Sequence, residues 1–305
     1  MLITKHFRAH LRDDAANDRL QRRLSALNKK RFEPALPTAD WRRETLAMTD
    51  ALLEEGAFLE ARREAVAMRA AQAPTDPEGF VAWFESLERD GPGQHDALFP
   101  WLAEEANMDQ MRWFLTQEVA GEAGFEDLSA LTQVRLPTRP KLEIARNYWD
   151  EMGRGNPKGM HGPMLSALSR ALDLRPTVES TVWQSLALAN TMAGLAANRR
   201  YAYHSVGALG VIELTAPGRA LRVTEGLKRL GVPAQDRHYF ALHSTLDVKH
   251  SQAWNAEVLL PLVQAQPEVA AAIAEGALMR LECGAACFER YREALMDDNE
   301  DIGTR

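Results

Sequence analysis

The chain has 305 residues, of which 46% are hydrophobic and 26% are charged, and its formal net charge at pH 7 is −7. This composition is that of an ordinary globular protein with one large domain or two small ones, and it excludes a disordered, fibrous or disulfide-stapled chain. The acidic balance, with no basic block to follow phosphates, argues against a nucleic-acid-binding protein.

The N-terminal segment MLITKHFRAHLRDD carries charges where a signal peptide needs an apolar run, so we expect a cytoplasmic protein. The residues up to about Gln72 are rich in Arg, Ala and Glu. This pattern indicates amphipathic helices that pack outside a core bundle or form a subunit contact, such as that of a homodimer. We therefore predict an N-terminal helical arm over residues 1–95, a main domain over residues 96–295 and an acidic tail over residues 296–305.

Almost every segment has a helical period and no run of alternating β-branched residues stands out, so the predicted fold class is all-α. Proline and glycine mark breaks between segments of helix length. The breaks lie at residues 34–38, 73–79, 90–94, 135–140, 153–159, 215–219 and 231–236. Residues 180–198 contain no Asp, Glu, Lys or Arg, but they include polar residues such as Asn190 and Thr191. This stretch is therefore typical of a buried core helix and not of a membrane span.

Three predicted helices carry a glutamate on the face that their apolar residues should bury. The periodicity of MDQMRWFLTQEVAGE points Glu118 inward. LEIARNYWDEMG and HSVGALGVIEL make the same prediction for Glu151 and Glu213. A single glutamate of this kind is more often solvated or at a helix end, but three on separate helices are harder to dismiss.

A glycine-rich segment, GRGNPKGM, separates Glu151 from His161. Its glycines and proline should break or bulge the helix, and such a break could bring His161 back to the level of Glu151. On its own, a histidine after a glycine-rich loop is more often a surface residue.

The strongest signal lies in YFALHSTLDVKHSQAW. Offsets of four and seven residues place His243, Asp247 and His250 on one helix face, within about 60° of one another. The same face carries aromatic residues, so the polar trio lies on the stripe that should be buried. A buried carboxylate between two imidazoles needs a cation or a dense set of hydrogen bonds, and a hydrogen-bonded core cluster is the alternative.

The charges of these groups favour metal ions. Four buried carboxylates would cost many kcal/mol without compensation, and two divalent cations would cancel their charge. Mixed carboxylate and imidazole ligands suit iron or manganese. Cys283 and Cys287 lie one helical turn apart outside this set, which disfavours an iron–sulfur cluster. The Glu-x-x-His pattern of ferritin-like bundles is absent, because no glutamate lies three residues before any of the eight histidines.

The order of these groups resembles the ligand series of the haem-oxygenase-like diiron oxidases and oxygenases, often labelled iron-containing redox enzymes. The resemblance covers about residues 100–295, and its specific parts are DEMGRGNPKGMH and HSTLDVKH. Glu122 lies one turn from Glu118 and could serve in its place. The ligands that the resemblance implies are Glu118, Glu151 and His161 for one iron, and Glu213, His243, Asp247 and His250 for the second iron and the bridge.

The resemblance also implies a seven-helix bundle of haem-oxygenase topology that binds two Fe(II) ions, or manganese, without haem. In that family, reduced iron and O2 form a peroxo-bridged diferric species. This species oxidises a small-molecule substrate that is an amine, amino-acid-like or fatty-acid-like, by N-oxygenation or by C–C or C–H cleavage, often in specialised metabolism. An external electron donor can be required.

An amino-acid-like substrate would need a cationic anchor for its carboxylate. Arg199 and Arg146 lie in segments near the expected ligands, as do Arg200 and Arg237. The planar guanidinium fork suits this role, although most arginines are solvated surface residues.

Three other classes remain open from the sequence. A haem oxygenase with one axial histidine would leave four inward carboxylates unexplained. A metal-free, thiaminase-like member of the same scaffold would need a nucleophilic cysteine or a dedicated base, and both cysteines lie outside the set. A non-enzymatic helical interaction protein would act through its N-terminal arm and would have neither a metal nor a polar core.

Overall fold

The computed structural model describes residues 14–121 and 124–296, and every regular element in those ranges is helical, which confirms the all-α class. In chain order the α-helices are α1 (Asp14–Phe32), α2 (Trp41–Ala70), α3 (Pro77–Asp90), α4 (Leu98–Glu104), α5 (Met108–Gly121), α6 (Phe125–Thr132), α7 (Thr138–Glu151), α8 (His161–Ala171), α9 (Trp183–Ala197), α10 (Ala202–Arg229), α11 (His238–Trp254), α12 (Leu260–Ala265) and α13 (Val269–Leu295). Glu122 and the predicted acidic tail beyond Met296 lie outside the described residues.

Two long helices, α10 and α13, pack against each other at the centre of the bundle. A Cβ atom on Gly207 would lie 1.9 Å from the carbonyl oxygen of Ile273. One on Gly276 would lie 1.9 Å from the carbonyl oxygen of His204. Only glycine permits so close an approach of the two backbones, so the sequence sets where these helices cross.

Helix α11 follows α10 after a short connection and packs along it. The indole of Trp254, which is 1% exposed, covers Gly210, where a Cβ would lie 2.4 Å from Nε1. Gly210 lies one turn before Glu213, and Trp254 lies one turn after His250. This close contact lies in the register that brings Glu213 opposite the polar face of α11.

The N-terminal helices lie against the bundle. Helix α1 packs on α9, and α2 packs on α13. Arg31 and Glu55 tie α1 to α2 through an ion pair of 2.8 Å, and Asn28 donates a hydrogen bond of 2.8 Å to Asn190 on α9. The division of the chain at residue 95 stays a prediction.

One predicted break is wrong. Helix α10 continues through residues 215–219 although Pro217 lies in its interior. Proline lacks the amide that would donate to the carbonyl of Glu213, so the helix loses one hydrogen bond there. Burial of Leu214, Ala220 and Val223 on either side holds the helix together, because tertiary packing outweighs the local preference of proline.

The charge-free stretch at residues 180–198 forms α9, whose residues are largely buried, so its interpretation as a core helix is confirmed. In the described part of the chain, no helix combines the length and apolar character needed to cross a membrane. The expected count of seven helices is not exact, since short helices such as α4, α6 and α12 add to the bundle. Cys283 and Cys287 are buried free thiols on α13.

Candidate metal centre

The glycine-rich segment joins the end of α7 to the start of α8 and closes on itself. Glu151 is the last residue of α7, His161 is the first of α8, and two 3-10 turns lie between them. Gly153 has a φ of 59°, and a Cβ there would lie 2.4 Å from the carbonyl carbon of Gly159, so glycine is required. This closure places Nδ1 of His161 2.6 Å from Oε2 of Glu151, so the break does bring His161 back to the level of Glu151.

The first group of possible metal ligands consists of Glu151, His161 and His243, each of which offers an atom within 4.8 Å of the others. The imidazoles of His161 and His243 meet edge to face, with ring centroids 4.6 Å apart. Nδ1 of His243 lies 2.7 Å from the carbonyl oxygen of Tyr239. Such a bond orients a metal-binding imidazole and leaves its other nitrogen for the metal.

The second group consists of Glu213, Asp247 and His250, whose ligand atoms also lie within 4.8 Å of one another. Nδ1 of His250 lies 3.5 Å from Oε2 of Glu213, and its Nε2 is bonded to Oδ2 of Asp150 at 3.2 Å. The side-chain amide of Asn147 donates a hydrogen bond of 2.6 Å to Oε1 of Glu213. All three grouped residues are buried. The hydrogen bonds from Asn147 and to Asp150 hold Glu213 and His250 in place, as outer partners do in metal sites.

The donor atoms fit metal ions better than they fit each other. Nδ1 of His161 and Nδ1 of His250 are buried, and neither makes a well-directed hydrogen bond to any described residue, although each lies close to a carboxylate oxygen. Nitrogen and oxygen ligands of one ion lie roughly 3 Å apart and direct their lone pairs at the ion. The pairs His161–Glu151 and His250–Glu213, whose atoms are close but poorly directed for a hydrogen bond, have that arrangement.

The titration of the metal-free centre agrees with this fit. Burial, helped by the charge of Glu213, raises the pKa of Glu151 to about 9. Burial lowers the pKa of His243 to about 4 and also lowers the pKa of His161, which keeps both imidazoles in the neutral form that binds metal. Burial opposes protonation of His250, but the adjacent carboxylates of Glu213 and Asp150 prevail and raise its pKa to about 9. In the metal-free protein, protons on Glu151 and His250 thus offset negative charge of the carboxylates. A bound divalent ion would neutralise that charge in their place.

Glu118 does not join either group. Its Oε1 accepts a hydrogen bond of 3.0 Å from the hydroxyl of Tyr291 on α13, although the side chain lines the same cavity as the groups. Glu126, in the first turn of α6, comes closer to the first group. Its Oε1 would lie 3.1 Å from a Cβ on Gly162, the residue after His161. Nothing in the sequence marks Glu126 as a candidate ligand, because an acidic residue in a first helical turn already has an ordinary explanation in the helix dipole.

The arginines expected to bind the substrate lie elsewhere. Arg199 donates hydrogen bonds to carbonyl oxygens at and just beyond the end of α6. Arg146 is largely exposed and pairs with Glu143 one turn away on α7. Neither they nor Arg200 and Arg237 line the cavity, because nearness in sequence does not set the direction of a side chain.

A cavity of about 380 Å³ adjoins the two groups. Apolar side chains form much of its wall, and its volume lies within the range of small-molecule sites. The residues of the groups that line it are Glu151, His161, Glu213, His243 and Asp247. A small organic molecule could therefore lie directly beside bound metal ions.

Comparison with known proteins agrees with this centre. A family model described as "Iron-containing redox enzyme" matches residues 112–285, a range that contains both groups. The crystal structure of a CADD-like protein of unknown function from Nostoc punctiforme is similar, with a TM-score of 0.50 and 16% identity over 81% of this chain and 97% of that one. A comparison with curated proteins found no match. Since the family model spans more than half of the sequence, the chain belongs to the iron-containing redox enzyme family.

Proposed function

We propose that the chain is a non-haem diiron oxidase or oxygenase that uses O2 to oxidise a small organic substrate. The observation that carries this proposal is the pair of His and carboxylate groups that share helix α11 and line one cavity. Membership of an iron-containing redox family supports iron as the metal. Manganese is the alternative that the same ligands would accept.

The two groups would each hold one ion. Glu151, His161 and His243 would bind the first, with Glu126 as a further carboxylate within reach, and Glu213, Asp247 and His250 would bind the second. Two adjacent ferrous ions, when bound, supply two electrons to O2 together. An external donor would then restore the ferrous state.

The protein residues around the ions would position and tune the ligands. The carbonyl of Tyr239 orients His243, Asp150 orients His250, and Asn147 holds one oxygen of Glu213. Each bond fixes the nitrogen or oxygen that remains for the metal, which is the usual work of outer partners in metal sites.

The apolar wall of the cavity would exclude water and bind the carbon skeleton of the substrate. The reactions we propose are N-oxygenation of an amine and oxidative cleavage of a C–C or C–H bond in an amino-acid-like or fatty-acid-like molecule. These reactions need the substrate beside the ions, and His243 and Asp247 line the cavity where such a molecule would lie.

Metal content after anaerobic loading with Fe(II) tests the proposal. The wild-type chain should bind about two irons and consume O2. His243→Ala and Asp247→Ala should each lose at least one iron and O2 consumption, because each removes a ligand from a buried group. The matched control is His204→Ala, which removes a buried histidine that bonds to Glu275 and joins neither group.

Unchanged iron content in both variants would mean that HSTLDVKH is a hydrogen-bonded core cluster, and the proposal would fail. The proposal would also fail if the wild-type chain bound iron but consumed no O2 with any of the amines, amino acids and fatty acids tried as substrates.

A further inference from the structure

Two arginines line the same cavity as the metal groups. Arg219 lies on α10 and Arg280 lies on α13. Arg219 follows Glu213 by six residues on one helix, which is a rise of about 9 Å along the axis. The backbone positions of Glu213 and Arg219 are therefore separated along the helix while both residues still face the cavity.

Among the described residues, these two arginines have few hydrogen-bond partners. Arg219 donates one hydrogen bond of 3.2 Å to the hydroxyl of Thr215 and lies over the ring of Phe288 at 5.6 Å. Nε of Arg280 is buried and has no hydrogen-bond partner in the described ranges. Neither guanidinium forms an ion pair with any carboxylate of residues 14–121 or 124–296. Most of the N–H groups of these two guanidiniums thus have no hydrogen-bond partner in the part of the chain that the structure describes.

The charges nearby do not balance. The carboxylates whose charges act on Arg219 are those of Glu118, which accepts a hydrogen bond from the hydroxyl of Tyr291, and Asp247, which would be a ligand of the second metal ion. Burial, together with the charge of Arg280, lowers the pKa of Arg219 to about 9, and burial raises the pKa of Glu118. With Asp247 bound to a metal ion, Glu118 is the one carboxylate of the described ranges whose charge acts on both guanidiniums, and two buried cations beside one carboxylate are costly without a further anion.

We propose that Arg219 and Arg280 bind the carboxylate of the substrate, which is a small monoanionic acid with an apolar chain or ring. A guanidinium fork matches the geometry of a carboxylate and binds it through charge-assisted hydrogen bonds. The apolar part of the acid would lie along the cavity wall toward the metal groups. Wall residues that could contact it are Phe114, Leu165, Met192, Val223 and Phe240. This assignment rests on the proposed function only in taking the cavity as the substrate site.

Paired acids and amides of one shape test the assignment. The probes are octanoate with octanamide and 3-phenylpropanoate with 3-phenylpropanamide, titrated calorimetrically into the Fe(II)-loaded chain without O2. The wild-type chain should bind at least one acid about tenfold or more tightly than its amide, since hydrogen bonds to charged groups contribute that much. Arg219→Gln and Arg280→Gln should abolish this preference and leave amide binding and iron content unchanged.

Two further variants keep the test sharp. Arg222→Gln is the matched control, because Arg222 is an exposed arginine on α10 that pairs with Glu225. Glu118→Gln should tighten acid binding, since it removes the competing negative charge, and it gives an answer even if an arginine variant fails to fold. Equal affinity of the wild-type chain for acid and amide, or no binding of either pair, would overturn the assignment. So would a preference that persists in both arginine variants, because the metal would then hold the carboxylate.

The same titrations after removal of metal with a chelator separate this assignment from the proposed function. A preference for acids in a chain that never binds iron would uphold the arginine site and refute the diiron enzyme. Two bound irons without any preference for acids would do the reverse.

Discussion

The two metal groups are built from different kinds of backbone. The first depends on Glu151 and His161, which sit at the end of one helix and the start of the next, across two 3-10 turns. The second comes from the interiors of the long helices α10 and α11, between which Trp254 packs closely on Gly210. Helix interiors hold side chains more precisely than irregular segments do.

The hydrogen-bond partners around the two groups also make the second group the better ordered one. In the second group, Glu213 and His250 each have an outer hydrogen-bond partner on α7. In the first group, His243 has such a partner in the carbonyl of Tyr239. The position of His243 relative to Glu151 and His161, however, depends on the closed glycine-rich loop. We therefore expect the second group to bind metal more tightly, and the first to lose its metal first when a chelator is added.

The largest effect should come from the carboxylate that approaches the first group. Glu126→Gln should lower the metal affinity of that group by more than about 100-fold if Glu126 is a ligand, because outer partners alone contribute 10- to 100-fold. One iron per chain should remain. The measurement is iron content against increasing chelator. Glu118→Gln is the control and should keep both irons, since Glu118 is bonded to Tyr291; the opposite pattern would make Glu118 the ligand.

A second variant acts on the loop of the first group without touching a ligand. Gly153→Ala places a Cβ where the loop backbone of Gly159 lies, at a φ of 59° that alanine rarely adopts. We expect the first group to lose affinity by about 10- to 100-fold, as for other changes that displace ligands, while the second group keeps its iron. Gly218→Ala, with open space around its Cβ, should change neither. Equal weakening of both groups would refute the difference between them.

The smallest effect should come from an outer partner of the second group. Asn147→Leu keeps the size of the side chain but removes the hydrogen bond to Glu213. The affinity of the second group should fall by about tenfold, the lower end for outer partners, and that of the first should not change. A chelator titration that follows the two irons separately would show this. A loss confined to the first group would contradict the grouping of Glu213 with His250.

Much of the helical architecture was readable from local patterns. The all-α class, the charge-free core helix α9 and the glycine-rich break before His161 follow from periodicity and from the chemistry of glycine and proline. Pro217 was misinterpreted as a break, because the packing that holds α10 together involves residues distant in sequence. Rules drawn from neighbouring residues describe which local conformation the backbone prefers. They do not include the packing energy that other helices add.

The site was readable to the same extent. Their spacing alone puts His243, Asp247 and His250 on one helix face, but the structure divides them, because His243 lies with Glu151 and His161 in the first group and not with Asp247 and His250 as expected. The partner of Glu118 could not be predicted, because Tyr291 is 173 residues away. The cavity arginines were also missed, since nothing in the sequence near Arg219 or Arg280 marks them as buried.

The sequence by itself determined that the protein is helical and that its acidic and imidazole side chains lie on faces that helices bury. Only the tertiary structure decided which of these side chains meet, that they form two groups of three, and that two arginines share their cavity. The physical reason is that helical periodicity is a property of neighbouring residues. A metal site or a charge pair depends on how separate helices cross, and here close glycine contacts between α10, α11 and α13 set those crossings.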